Sequence, residues 1–289
     1  MNRVKNSLVA HASATKKVEN QDYSIIFEGC FNAVIVADGI GSLSKAKEGA
    51  QEVVTRAEEI LRASNVEDLD LKELFFVIHK DMQEMVLNKE ENPEKNSYGT
   101  TLIIAIEYQD KFKVAYVGNG AILHMRGHIT DFKKKVYYLP WACVNYLNPH
   151  TRPYKGRETL YKHFAYGAAD THVEPTIIEI SKDVNGTGDI LAICTDGIYS
   201  VDHMEVASDE DDTLWIEGTK TQQLLIHMTH DFLKEGCHHK IGLELALNHY
   251  LDNLKSIPNA MTDDCSLGLI ITEQALKYQN QKDIENEKY

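Results

Sequence analysis

The apolar residues of this chain change period several times, and each change marks an element. Phe31 to Ala37 is a nearly unbroken apolar run with β-branched residues, which predicts a buried strand. After it, Ala46, Ala50, Val53, Val54, Ala57, Ile60 and Leu61 recur at helical spacing. A second helical face holds Leu71, Leu74, Phe75, Ile78, Met82, Met85 and Val86, with Asp68 and Asp70 near its start, where the helix dipole favours negative charge. Glu90 to Ser97, with Pro93, reads as a loop. The period then becomes extended. Thr100 to Tyr108 and Phe112 to Val117 predict two strands joined by Gln109-Asp110-Lys111, and Gly118-Asn119-Gly120 turns the chain into a third strand, Ala121 to Met125. Tight turns demand antiparallel neighbours, because parallel ones need a long crossover, so a doubly wound parallel sheet is excluded as the whole architecture.

Asp131 to Val173 has no clean period. It holds Pro140, Pro149 and Pro153 and many aromatics, among them Trp141, Tyr146, Tyr154 and Tyr161. A loop this long inside a compact domain is either functional or hides structure. Thr176 to Ile180 and Ile190 to Thr195 predict strands around an Asn185-Gly186 turn. Thr221 to Lys234 and Ile241 to Leu254 predict helices, and Ser266 to Thr272 a last strand. The tail from Glu273 is polar and is expected to fray. Strands grouped centrally with helix pairs near both ends imply an α+β layered fold.

Composition narrows the function. With 289 residues, Gly 17, Pro 6 and no linker-like stretch or repeat, one domain over residues 1–272 is the expectation. Nothing at the N-terminus reads as a signal peptide, and no apolar run approaches the ~18 residues of a membrane span. The five cysteines are odd in number and form no Cys-x-x-Cys pair, which fits a reducing cytoplasm. A net charge of −14 argues against general nucleic-acid binding. Within it, Asp131 to Tyr166 carries Lys133, Lys134, Lys135, Arg152, Lys155, Arg157 and Lys162 against Asp131 and Glu158. That is either a solvated loop or a positive lip that attracts phosphorylated substrate.

The candidate chemistry lies where strands end. Asn20-Gln21-Asp22, Ala37-Asp38-Gly39-Ile40-Gly41-Ser42, Cys194-Thr195-Asp196-Gly197 and Thr262-Asp263-Asp264-Cys265-Ser266 each carry acid into a turn. Any one of them reads equally as turn chemistry. Converging carboxylates without a matching Arg or Lys point to a hard divalent cation held by oxygen. His227 and His230, three apart on a helix, lack a His-Glu-x-x-His pattern and read as a solvated face, and His238-His239 as a loop. The glycines around Asp38 lack dinucleotide-binding spacing, and Thr100 and Thr101 read as sheet packing.

Taken in order, with Ser97-Tyr98-Gly99-Thr100-Thr101 and Tyr116-Val117-Gly118-Asn119-Gly120 between them, these stretches resemble the metal-dependent protein phosphatases of the PP2C (PPM) family. The family pattern runs Arg-x-x-Asn-Gln/Glu-Asp, Asp-Gly-x-Gly, Gly-Thr-Thr, Val-Gly-Asp-Ser, Ser-Asp-Gly and Asp-Asn/Asp-x-Thr/Ser, and the resemblance spans roughly Ser7 to Thr272. It implies a four-layer α-β-β-α sandwich: two antiparallel sheets face to face with helices outside. It implies hydrolysis of phosphoserine and phosphothreonine in proteins by water activated at two Mn²⁺ or Mg²⁺ ions, a reaction very slow without help. In that reading Asp38 bridges both ions and the Gly39 carbonyl completes one site. Asp196 and Asp263 bind the other ion, and Asp22 holds metal-bound water. Asp264 fills the neighbouring position of the pair and is the alternative ligand. The implied partner is a phosphorylated protein, such as a serine/threonine kinase or its target.

Three departures qualify the resemblance. Lys17 stands where the family has a phosphate-gripping Arg, and lacks the bidentate fork. It is also readable as a surface residue beside Lys16. Neutral Asn119 replaces an Asp that contributes to a third metal site in bacterial relatives, unless Asn-Gly is there for its turn. Ser200 replaces an Asp with little expected effect. Two rival readings remain: a pseudophosphatase that binds phosphoprotein without turnover, and a hydrolase of small phosphate esters.

Overall fold

A computed structural model describes residues 7–65, 67–91, 93, 97–127, 141–199, 206–208, 214–216, 220–234, 239–257, 261 and 263–278. Strands β1 (Leu8–Ala14), β2 (Tyr23–Glu28) and β3 (Asn32–Ala37) come first, then helices α1 (Ala46–Ala63) and α2 (Leu71–Lys89). Next are β4 (Gly99–Thr100), β5 (Leu102–Tyr108), β6 (Lys111–Val117) and β7 (Ala121–Gly127), followed by four short strands, β8 (Trp141–Asn145), β9 (Thr151–Tyr154), β10 (Arg157–Leu160) and β11 (Phe164–Ala165). Strands β12 (Thr176–Ser181) and β13 (Asp189–Cys194) lead into one helical turn, α3 (Asp196–Tyr199). After a small ribbon of β14 (Val206–Ser208) and β15 (Leu214–Ile216) come α4 (Lys220–Lys234), α5 (Lys240–Ser256) and β16 (Cys265–Ile271).

Two five-stranded antiparallel sheets form the centre, one ordered β1-β16-β13-β7-β8 and the other β12-β6-β5-β3-β2. Their inner faces share a core of Val9, Val34, Val36, Ile103, Ile122, Leu191, Ile193 and Ile270. This explains why β3, β13 and β16 are buried along their whole length rather than alternating: both faces are covered. Gly268 of β16 lets the sheets close here, since a Cβ on it would overlap the Val34 side chain of β3. On the outer face of the second sheet, α1 and α2 lay Val53, Val54, Leu61, Phe75, Ile78 and Met82 against Phe31, Ile35 and Ile104. Burial of a side chain such as Phe31 or Phe75 stabilises the fold by about 1.5–3 kcal/mol. On the outer face of the first sheet, α4 and α5 contribute Leu225, Phe232, Leu243, Leu247 and Leu251. The result is the expected four-layer α-β-β-α sandwich. At the start of α2, Asp70 is more than a favourable charge, because its carboxylate accepts from the amides of Lys72 (2.8 Å) and Glu73 (3.2 Å).

Several expectations change. β1 and β2 are additional strands, and β1 pairs along its whole length with β16. β5 and β6 pair as predicted, but β7 does not continue that sheet; the Gly118-Asn119-Gly120 turn carries the chain into the other one. β12 and β13 likewise lie in different sheets. Within the segment from 131 to 175, residues 131–140 lie outside the described residues. The rest is structured: β8 extends a sheet, β9 and β10 form a hairpin, and β11 pairs with β4. Residues 273–278 are helical, with Ala275 and Leu276 buried against the α4–α5 layer, so the expected fraying does not apply to them. His230 is buried rather than solvated, while His239 caps α5 by accepting from the Gly242 amide (2.9 Å). His238, Ser200 and the acidic 209–212 stretch lie outside the described residues. Among the described residues no helix is long and apolar enough to cross a membrane.

Candidate metal centre

Strand register gathers the acidic residues at one pole of the sandwich. Tyr23 faces Ala37, which puts Asp22 beside Asp38. Cys194 faces Leu267 and Ala14 faces Cys265, which brings Asp196, Asp264 and Thr15 to the same rim. Close backbone packing tightens the group. A Cβ at Gly39 would stand 2.7 Å from the Gln21 carbonyl oxygen and 2.6 Å from that of Ala46, and one at Gly197 would overlap the Asp264 carbonyl. The Asp-Gly pairs therefore serve close approach between segments as well as turning.

Asp22 is buried, and its Oδ2 accepts from the Thr195 hydroxyl at 2.6 Å. Its Oδ1 is buried and has no hydrogen-bond partner among the described residues. The carboxyls of Asp22 and Asp196 both come within hydrogen-bonding reach of Asp38. Burial, compounded by neighbouring carboxylates, pushes Asp22 up to about 7 and Asp38 well above the usual carboxylate range. Asp196 is raised chiefly by burial. Adjacent carboxyls of this kind cannot all ionise unless a cation joins them; otherwise they share protons. Elsewhere the fold gives its buried carboxylates cations. Glu107, at the opposite end of β5, binds Lys182 (2.7 Å), and Asp189, at the far end of β13, binds Arg126 (2.7 Å).

The supporting residues are well defined. The Asp38 amide donates to Thr101 Oγ1 (3.0 Å), and the Asp38 carbonyl accepts from Thr100 Oγ1 (2.8 Å) and the Thr101 amide (2.9 Å). The two threonines read as sheet packing thus fix the backbone of the central carboxylate. Asn119 donates from Nδ2 to Asp196 Oδ2 at 2.5 Å, so the neutral residue grips a carboxylate that an Asp would repel. Its turn is constrained by Gly120, at φ +121. Asp264 is buried and accepts from the Gln21 amide (2.9 Å) and from the Thr15 hydroxyl, pinning the start of β2 to the end of β1. Asp263 projects outward and pairs with Lys17, whose ammonium also lies 3.7 Å from Asp264. Burial works against the charge on Lys17, but Asp263, Asp264 and Asp38 outweigh it and raise its pKa.

Sequence reasoning assigned no role to Thr195, Thr15 or His150. The first two are readable only as a Thr next to each acidic motif or strand end. His150 has no motif. It stacks on Tyr116 (4.9 Å between rings, 16°), accepts from the Gly118 amide at Nδ1 (3.2 Å) and donates from Nε2 to Thr176 Oγ1 (2.8 Å). Its own amide donates to the Gly118 carbonyl (2.9 Å), so it clamps the turn that presents Asn119. From there the β9–β10 hairpin projects with Arg152, Lys155 and Arg157 exposed. Lys133, Lys134 and Lys135 lie outside the described residues.

Among the described residues, no three His, Cys, Asp or Glu side chains stand arranged to hold a metal ion. The donor chemistry nonetheless fits a hard divalent cation: clustered carboxylates raised by burial and then by one another, and the buried, unsatisfied oxygen of Asp22.

A family model described as Protein phosphatase 2C matches residues 11–235. No curated protein sequence matches the chain. Among solved structures, the serine/threonine phosphatase Stp1 from Staphylococcus aureus is similar with TM-score 0.60 and 15% identity, over 94% of this chain and 98% of that one. The Mycobacterium tuberculosis serine/threonine phosphatase PstP/Ppp gives TM-score 0.55 and 15% identity, over 92% and 99%. A C. elegans sex determining protein gives TM-score 0.64 and 11% identity, over 96% and 67%. At these identities the likeness is one of fold.

Proposed function

The chain belongs to the protein phosphatase 2C family, and we propose that it hydrolyses phosphoserine and phosphothreonine in proteins at the carboxylate pole built by Asp22, Asp38, Asp196 and Asp263. The observation that carries this is the cluster of buried Asp22 with half-buried Asp38 and Asp196, whose mutual proximity calls for cations. Asp38, the Gly39 carbonyl, Asp196 and Asp263 would hold two Mn²⁺ or Mg²⁺ ions, which when bound supply a water acidified at neutral pH and positive charge for the phosphoryl oxygens. Thr100 and Thr101 hold the Asp38 backbone still, and Asn119 orients Asp196. Asp22, fixed through Oδ2 by Thr195, leaves Oδ1 to accept from a water and orient it. Lys17 offers its ammonium to the substrate phosphate, and the exposed cations of the β9–β10 hairpin recruit the surrounding phosphoprotein.

The substrate class is a phosphorylated protein, such as a kinase or a kinase target. Residues 1–272 act as one catalytic unit, and an odd number of cysteines without a Cys-x-x-Cys pair suits a reducing cytoplasm.

The test is hydrolysis of an aryl phosphate and a phosphothreonine peptide with Mn²⁺, with Mg²⁺ and with chelator. Turnover should require a divalent ion, and Asp38→Asn, Asp196→Asn and Asp263→Asn should each abolish it with circular dichroism unchanged. Near-normal activity in the Asp38 variant would end the assignment. Phosphopeptide binding without turnover would favour a pseudophosphatase.

A further inference from the structure

Lys17 and Asp263 lie 246 residues apart in sequence, and their side chains meet at the rim of the carboxylate pole. Of the proposed cation ligands, Asp263 is the one in a salt bridge among the described residues. Its carboxylate is 54% exposed and the Lys17 side chain 44% exposed, so solvent weakens the pair and it can exchange. The backbone around Lys17 is held independently of that contact: the Lys17 amide donates to Thr15 Oγ1 (2.8 Å), and Thr15 is in turn bonded to Asp264. The ammonium can therefore leave Asp263 by side-chain rotation alone, with the loop in place.

We infer that Lys17 is a resident counter-ion of Asp263, which a divalent cation displaces, so that cation loading frees the ammonium for the substrate phosphate. This rests on the reading of Asp263 as a cation ligand given above. Lys17 and the cation compete for one carboxylate oxygen set, so the lysine lowers cation affinity in the resting protein. The freed ammonium is then available to the phosphate, and order follows: cation first, phosphate second. An Arg at this position, with a planar fork and a longer reach, would not be tuned in the same way.

Calorimetric titration of Mn²⁺ into the chelator-stripped full chain tests the competition. Lys17→Met keeps the stem and removes the charge, and should bind the Asp263-dependent ion about three- to fivefold tighter, the upper part of what an exposed ion pair contributes. Lys16→Met, which removes a neighbouring charge without the contact, should leave the isotherm nearly unchanged. In an Asp263→Asn background the gain from Lys17→Met should fall to the level of Lys16→Met. A second readout needs no turnover: acylation of Lys17 by a small amine reagent, followed by mass spectrometry, should speed up relative to Lys16 when Mg²⁺ is added. Both results are required. An unchanged or weaker isotherm for Lys17→Met, a gain that persists in Asp263→Asn, or unaltered Lys17 labelling overturns the inference while leaving the metal centre standing. No Mn²⁺ uptake by the wild type overturns both.

Discussion

An arginine reaches a phosphate with two parallel hydrogen bonds; Lys17 has one compact ammonium to offer. Its removal should therefore weaken ground-state capture more than it slows chemistry. Lys17→Ala is expected to raise KM for a phosphopeptide on the order of tenfold, the lower end of what a hydrogen bond to a charged group contributes, with a smaller fall in kcat. Lys17→Arg should match or improve on the parent, and steady-state kinetics of the two variants checks this. Much of the residue scale was legible in the sequence. Asp22, Asp38 and Asp196 stand out because acid at the end of an apolar strand is costly without a purpose. What was not legible is pairing at a distance. Nothing in a linear pattern says that Lys17 meets Asp263, that Thr195 bonds Asp22, or that Asn119 grips Asp196, since each contact depends on sheet register.

Elements were legible where their period was strong and illegible where packing overrides it. Helices α1 and α2 follow their apolar spacing closely. β1, Leu-Val-Ala-His-Ala-Ser-Ala, is small-sided and only weakly alternating, and gains its identity by pairing with β16. The segment after β8 hid its strands among aromatics, yet it carries two testable functions. His150, buried between Tyr116 and Thr176, has its pKa lowered to about 4 by burial and by Lys162. The folded protein thus refuses a proton that the unfolded chain accepts near 6.5. The stability this contributes is full above that value and is lost as pH falls toward 4, by up to roughly 3 kcal/mol. Urea midpoints measured from pH 7 to 4 should fall less steeply in His150→Gln than in the wild type. The exposed hairpin acts differently. Neutralising Arg152, Lys155 and Arg157 together should slow phosphopeptide capture and flatten its salt dependence, with aryl phosphate hydrolysed almost as before. Equal losses on both substrates would instead mark the hairpin as a support of the fold.

For the whole molecule, the two sheets must lie close enough for one rim to be shared by β1, β3, β13 and β16. Gly268 permits that approach beside Val34. Gly268→Ala should force the sheets or the Val34 rotamer to shift and destabilise the protein by about 1–3 kcal/mol, read as a lowered denaturant midpoint. Val34→Ala in the same chain should recover part of the loss, a coupling that a double-mutant cycle measures. The α+β class was readable from element order, but the division of strands between sheets was not. A tight turn such as Gly118–Gly120 looks the same whether it continues a sheet or leaves it.

The place of β16 has a consequence for how the molecule is made. Strand β16 lies inside its sheet, between β1 and β13, and joins segments far apart in the order of synthesis. Such long-range pairing is slow to form, because a large loop must close before any contact rewards it. A nascent chain emerging from the ribosome carries β1 and β13 with the gap between them open, two unpaired edges until β16 arrives. During translation this protein would therefore depend on help to keep those edges apart from other chains. Asp264, at the threshold of β16, arrives at the same moment, so the carboxylate pole is assembled only once β16 has been made.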